Sequence, residues 1–330
     1  MNNRHVMGRD GLALAVFVSL GMFALAYLTG PVQRLAGDTG ICFPSPNLWG
    51  LNDVWGWVAN MGSLITAWIV LSLVNKEFTI VQGSDTVLTG IFAIMTSSNL
   101  WLAGSMSSSG IVALANLICM VVLFGCYRKQ NATQEMFLVA SILAIGSMFQ
   151  YAFIFMMPAY LIGAIMMKCL RFKSLVAFLM GIVAPYWIAL GFGIVSFDDF
   201  TMPTFTDLFD GYSTKFRLLV GLINIGATAL IGLVLVFLNW VKLYAGNTQR
   251  RLYNMVVNVI GFFCLLCIII DFNNMVAYLA TLYMIAAVQI ANFFALRNVY
   301  RGNRVVIVLS LLYVLGFTLM VWGNWFLLLE

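Results

Sequence analysis

The stretch Gln134-Glu-Met-Phe-Leu-Val-Ala-Ser-Ile-Leu-Ala-Ile-Gly-Ser-Met-Phe149 turns at Gln150-Tyr151 into a second apolar run that ends near Met167, and it decides the topology of this chain. It is short for a membrane span, so it has two readings, a full crossing or a re-entrant half-helix. As a crossing it keeps the basic residues of all later gaps on one side of the membrane. As a half-helix it breaks that pattern for everything downstream. The charge pattern therefore makes 134–149 a span in a tight hairpin with 151–167.

Outward from this hairpin the same arrangement repeats. Apolar stretches fall at 11–29, 54–74, 87–103, 110–127, 134–149, 151–167, 174–195, 217–241, 252–270, 274–295 and 305–326. Most are long enough for a helix of about 20 residues to cross a hydrocarbon core of roughly 30 Å. Of the 17 Lys and Arg residues, all but Arg34, Lys215 and Arg217 lie in alternate gaps, beginning with the N-terminal tail. The acidic residues lean toward the other gaps, with Asp38, Asp53, Asp198, Asp199, Asp207, Asp210, Asp271 and Glu330 there. Cytoplasmic loops collect Lys and Arg, which puts the N-terminus inside and the C-terminus outside. The expected fold class is all-α, a polytopic integral membrane protein of about eleven transmembrane helices in the bacterial inner (cytoplasmic) membrane.

Composition leads to the same class. The chain is 62% hydrophobic and 9% charged, against about 25% charged residues in ordinary globular proteins. Its net charge of +5 follows from membrane orientation and gives no indication of nucleic-acid binding. Arg4 and Arg9 precede an apolar run, yet Gly21 to Pro31 lacks a small-x-small cleavage site, so the first helix reads as an uncleaved signal-anchor. Residues 1–330 form a single transmembrane domain whose longest gaps, 30–53 and 196–216, are outer loops. Cys42 alone among the six cysteines sits clearly in such a loop; the Cys264/Cys267 pair is mid-helix and reads as packing. With His5 as the one histidine, no His-based site can form inside the membrane.

The apolar interiors contain no Asp, Glu, Lys, Arg or His, which weighs against ion-relaying pumps and carriers. They do contain Asn60, Ser63, Thr66, Thr96-Ser97-Ser98-Asn99, Asn116, Asn224, Asn258, Gln289 and Asn292. Such neutral groups usually join helices by hydrogen bonds. The Thr96–Asn99 cluster, followed by Trp101 and Ser107-Ser108-Ser109, approaches the outer face, and Asn99 is a candidate substrate contact there. In the outer loops, Trp49, Trp55 and Trp57 read as a headgroup-level belt or as a platform for sugar faces. Asp198-Asp199 read as a solvated acidic loop or as oxygen ligands for a candidate divalent cation; no other cofactor is indicated. The inner clusters Lys168, Arg171, Lys173 and Arg297, Arg301, Arg304 suit anionic lipid, and topology explains them equally.

The middle of the chain carries a resemblance. Ser97-Ser-Asn-Leu-Trp-Leu ends one helix, and a second runs to Tyr127-Arg-Lys-Gln. Glu135 to Tyr151 follows, then Phe153-Ile-Phe-Met-Met-Pro-Ala-Tyr-Leu-Ile, a basic turn at Lys168-Cys-Leu-Arg-Phe-Lys, and a helix ending Ala184-Pro-Tyr-Trp. This resembles an uncharacterised family of inner-membrane proteins of Bacteroidota. More distantly, residues 87–195 are similar to the central helices of C-type glycosyltransferases, which use polyprenyl-phosphate sugars. The second likeness implies a catalytic carboxylate in the first outer loop, for which Asp38 is the candidate. It also implies basic partners for a lipid phosphate, for which Arg34, Lys215 and Arg217 are candidates. Two readings stand side by side. One is an envelope protein that is structural, assembles with envelope partners or handles membrane lipids. The other is an enzyme acting on a polyprenyl-phosphate-linked glycan at the outer face.

Overall fold

The computed structural model describes residues 9–29, 40–82, 85–202, 215–244, 247–297 and 302–327. Helices dominate them: α1 (Arg9–Leu28), α2 (Asp53–Phe78), α3 (Asp85–Ser97), α4 (Leu100–Ala103), α5 (Ser109–Gly125), α6 (Thr133–Phe149), α7 (Ala152–Met166), α8 (Phe172–Gly191), α9 (Lys215–Tyr244), α10 (Thr248–Ile270), α11 (Met275–Arg297) and α12 (Gly302–Leu327). Each apolar stretch of the sequence coincides with one of these helices, except 87–103, which divides into α3 and α4. By length and hydropathy α1, α2, α8, α9, α10, α11 and α12 can cross a membrane. The other four apolar helices, α3, α5, α6 and α7, are shorter. At 17 residues, α6 is about 25 Å long, the lower limit for a crossing.

Composition explains which helix sits in the middle. In α11 small residues recur at Ala277, Ala280, Ala286, Ala287 and Ala291, so neighbouring backbones can approach it closely. Within its span 83% of the residues are buried, and α3, α5, α9 and α10 all pack on it. By contrast, α1, α8, α9 and α12 carry large aliphatic and aromatic side chains around their circumference. Phe17, Trp187, Phe237 and Leu311 stay exposed there, as expected of helices that face lipid.

The division of α3 from α4 has a local cause. Three consecutive hydroxyls bond back onto α3: Thr96 Oγ1 donates to the Phe92 carbonyl (2.9 Å), Ser97 Oγ to Ala93 (2.8 Å) and Ser98 Oγ to Met95 (2.9 Å). Such back-bonds weaken and bend helices. Asn99 then caps α4, its Oδ1 accepting from the Trp101 amide at 2.9 Å. Broken backbone is tolerated at membrane depth only where protein covers it, and all four residues from Thr96 to Asn99 are fully buried.

One end of the bundle carries the α6–α7 turn and is called the hairpin end; the opposite one, with Arg128, Lys129, Arg250 and Arg251, is the basic end. At the basic end Arg250 donates to the Ile80 carbonyl (3.1 Å), Gln82 Oε1 (2.8 Å) and Asn292 Oδ1 (3.4 Å). Asn254 Nδ2 also reaches the Ile80 carbonyl (3.1 Å). Lys129 pairs with Glu135 across the α5–α6 turn. These contacts tie the 79–82 turn and α6 to the bundle.

Candidate functional site

Three places combine polar groups with shape. The first lies at the hairpin end, where residues 40–43 bond to the frayed C-terminus of α6. The amides of Ile41 and Cys42 donate to the Ser147 and Met148 carbonyls, both at 3.1 Å, and the Phe43 amide to Met148 at 2.8 Å. Those carbonyls have no partner within α6, so the loop completes them. From the segment after α8, the Thr201 amide donates to the Ile41 carbonyl (2.9 Å) and Thr201 Oγ1 to the Gly40 carbonyl (2.9 Å). Tyr151 Oη donates to the Thr201 carbonyl at 2.6 Å. The two loops thus meet on the hairpin, and Asp199 lies close enough to help burial raise the Cys42 thiol pKa.

Asp38 and Arg34 lie outside the described residues. Lys215 and Arg217 lie in the first turn of α9, with side chains outside the described set. Asp198 and Asp199 form an exposed 3-10 turn in which Asp199 Oδ2 accepts from the Ser196 amide at 2.7 Å. No cluster of three or more His, Cys, Asp or Glu suited to a metal occurs among the described residues. Asn99 is enclosed: its Nδ2 donates to Tyr283 Oη at 2.8 Å, and Tyr283 Oη donates to Asn224 Oδ1 at 3.0 Å. It therefore joins α4, α11 and α9 rather than lining an open pocket. A mixed pocket of about 320 Å³ does open at this end, between Tyr27, Asn47, Asp53, Gly104 and Ser105.

The second place was not singled out by sequence reasoning. Asp271 terminates α10 with 3% of its surface exposed, and Asn274 and Tyr278 donate to its two oxygens at 2.9 and 3.0 Å. A signal existed. The neighbouring apolar stretches end at 270 and resume at 274, which leaves too few residues to carry a carboxylate out into water.

The third is a lateral groove. Both α9 and α10 pack on α11, and where they diverge a cavity of about 440 Å³ opens between Gly232, Val236, Trp240, Phe262, Ile285 and Ala286. Leu233, Trp240 and Phe262 form its exposed edges. An amide chain bridges the floor. Asn239 Nδ2 donates to Gln289 Oε1 (3.1 Å) and its carbonyl (2.9 Å), and Gln289 Nε2 donates to Asn258 Oδ1 (2.7 Å). A second cavity of about 210 Å³ shares Val236, Trp240, Met255 and Asn258 and reaches Arg251 at the basic end. The groove is an apolar slot with a cation at its mouth, the size of typical ligand sites.

The described residues form an all-α bundle in which seven helices are long and apolar enough to cross a membrane. Comparison with known proteins finds no matching family model, curated protein or solved structure.

Proposed function

We propose that this protein is a bacterial inner-membrane protein of eleven crossings, N-terminus inside and C-terminus outside, which binds an anionic membrane lipid in the α9–α10 groove. The observation that carries this reading is the continuity of the apolar slot with the Arg251 end. In the proposed orientation that end lies at the inner leaflet. A lipid chain then fills the slot while its phosphate meets basic side chains, each contributing about 1 kcal/mol near an anionic surface. Lipid handling or assembly within the envelope follows from such a site.

The test is native mass spectrometry of the purified protein with its co-extracted lipid. Gly232 borders the slot, and a Cβ there meets nothing nearer than the Ala286 Cβ at 3.9 Å. Gly232→Phe therefore fills the slot without a backbone clash, and retained anionic lipid is expected to fall at least about tenfold, a loss of roughly 1.4 kcal/mol in affinity. Unchanged lipid in a folded Gly232→Phe protein rejects the groove as the site.

One observation favours a second reading, an enzyme using a polyprenyl-phosphate sugar at the outer face. Gly40, two residues after Asp38, is bonded to Thr201, two residues after Asp199. A base at Asp38 would deprotonate an acceptor hydroxyl while basic groups offset the leaving phosphate. On this reading Asp38→Asn abolishes sugar transfer at normal protein levels; full activity in that variant removes Asp38 as the base.

A further inference from the structure

We infer that Asp271, Asn274, Gln150 and Tyr278 bind a small monovalent cation, of the charge and oxygen preference of Na⁺, at the hairpin end of α10 and α11. The site is separate from the lipid groove and does not depend on it. Gln150 caps α6 and Asp271 caps α10, so two chain turns distant in sequence bring the groups together. Gln150 is 1% exposed, and its Nε2 lies 3.4 Å from Asn274 Oδ1, which directs the amide into the cluster. Gln150 Oε1 is buried and has no hydrogen-bond partner.

Two demands arise at one place. When ionised, Asp271 carries a negative charge away from water, met only by the neutral donors of Asn274 and Tyr278. Buried charges require a partner of opposite sign, and Asn274 and Tyr278, the groups that act on Asp271, carry no charge. Gln150 Oε1 meanwhile lacks a donor. A cation held between the carboxylate and this amide oxygen answers both demands, whereas a water answers only the second. A single carboxylate whose side-chain partners, the Asn274 amide and the Tyr278 hydroxyl, are uncharged matches one positive charge. Hard cations take oxygen ligands of this kind from carboxylates and amides, and membrane proteins hold Na⁺ where helices are interrupted.

A proton competes for the same carboxylate. Burial raises the Asp271 pKa, partly opposed by the Asn274 and Tyr278 hydrogen bonds. The ionisable groups facing it are Cys267 on α10 and Tyr278 on α11, with Cys264 one turn further along; the contact from the α6–α7 turn is the neutral Gln150. A carboxyl whose folded pKa is raised favours the folded state while protonated and loses that contribution as pH rises through the folded value. Without sodium, stability should therefore fall as pH rises through that range, and sodium should restore it at the alkaline end.

The test uses the intact wild-type protein in detergent. Saturable binding of radioactive sodium is expected, displaced by lithium and not by choline. The melting temperature should rise by a few degrees when NaCl replaces choline chloride at equal ionic strength, more at alkaline than at acidic pH. Gln150→Leu removes the unpartnered oxygen, so this variant should fold normally in choline and lose the sodium response; Asp271→Asn should lose it too. Equal melting temperatures in both salts without saturable sodium binding overturn the inference. A response to pH that sodium does not alter also overturns it and assigns the site to a proton.

Discussion

Asn60→Leu is expected to lower the stability of the folded bundle by about 2–6 kcal/mol, the largest effect of any single substitution proposed. Asn60 is fully buried in α2. Its Nδ2 donates to the Leu102 carbonyl at 2.5 Å, and its Oδ1 accepts from the Ser107 amide at 3.2 Å. One side chain thus satisfies a carbonyl and an amide where α4 ends and α5 has not begun. Leucine branches at the same atom with the same number of heavy atoms, and its larger methyl groups add a packing penalty at this fully buried site. Two backbone groups are also left in a site water does not reach, at about 1–3 kcal/mol each. Thermal unfolding in detergent reads the change, and Thr66→Leu serves as the control. Thr66 lies on the exposed side of the same helix and bonds only to the Gly62 carbonyl, so its loss should fall within about 0.5 kcal/mol of wild type. Equal melting of Asn60→Leu and wild type would remove the polar bridge as the support of this turn.

Gly181→Val should separate α8 from α6. A Cβ at residue 181 would lie 2.5 Å from the Phe137 carbonyl oxygen and 2.8 Å from the Ala140 Cβ. The first of these is backbone in the middle of a helix and has no rotamer by which to move away. Ser141 Oγ also donates to the Gly181 carbonyl at 3.2 Å, a bond that depends on the same close approach. Overpacking costs about 1–3 kcal/mol, and a lost interhelical hydrogen bond adds about 0.6 kcal/mol. Gly191, in the same helix, has open space around its Cβ position, so Gly191→Val controls for helix propensity. Faster proteolysis between α8 and α9 in Gly181→Val, absent in Gly191→Val, is the expected result. Equal protease resistance in the two variants would show that the interface can widen at no cost.

These two positions differ in how far their roles could be read beforehand. Asn60 stood out as a polar residue in an apolar run, and the reading that it joins helices agrees with its bonds to Leu102 and Ser107. Its partners lie more than forty residues away and could not be named. Gly181 gave no signal, since nothing in Leu179-Met180-Gly181-Ile182 distinguishes it from Gly191. Only the approach of α6 gives its missing side chain a purpose. The Thr96–Asn99 cluster was visible as a polar interruption, and the expectation of a substrate contact at Asn99 followed from its place near a helix end. The hydroxyls instead turn back onto α3, and Asn99 spends its amide on Tyr283, because α11 covers that face. Asp271 shows the reverse error of emphasis. It was counted among loop acids for topology, although the brevity of its loop already implied burial.

By itself, then, the sequence determined where the helices are and how charge is distributed between their ends. Apolar length and the placement of Lys and Arg are properties of neighbouring residues and can be read locally. The tertiary structure decided which helix is central, where the backbone breaks under cover, which two loops meet at the hairpin end, and where α9 and α10 part to leave a groove. Each of those depends on surfaces supplied by distant segments. Burial gives a carboxylate or an amide its energetic importance, and burial is decided by whatever packs against it.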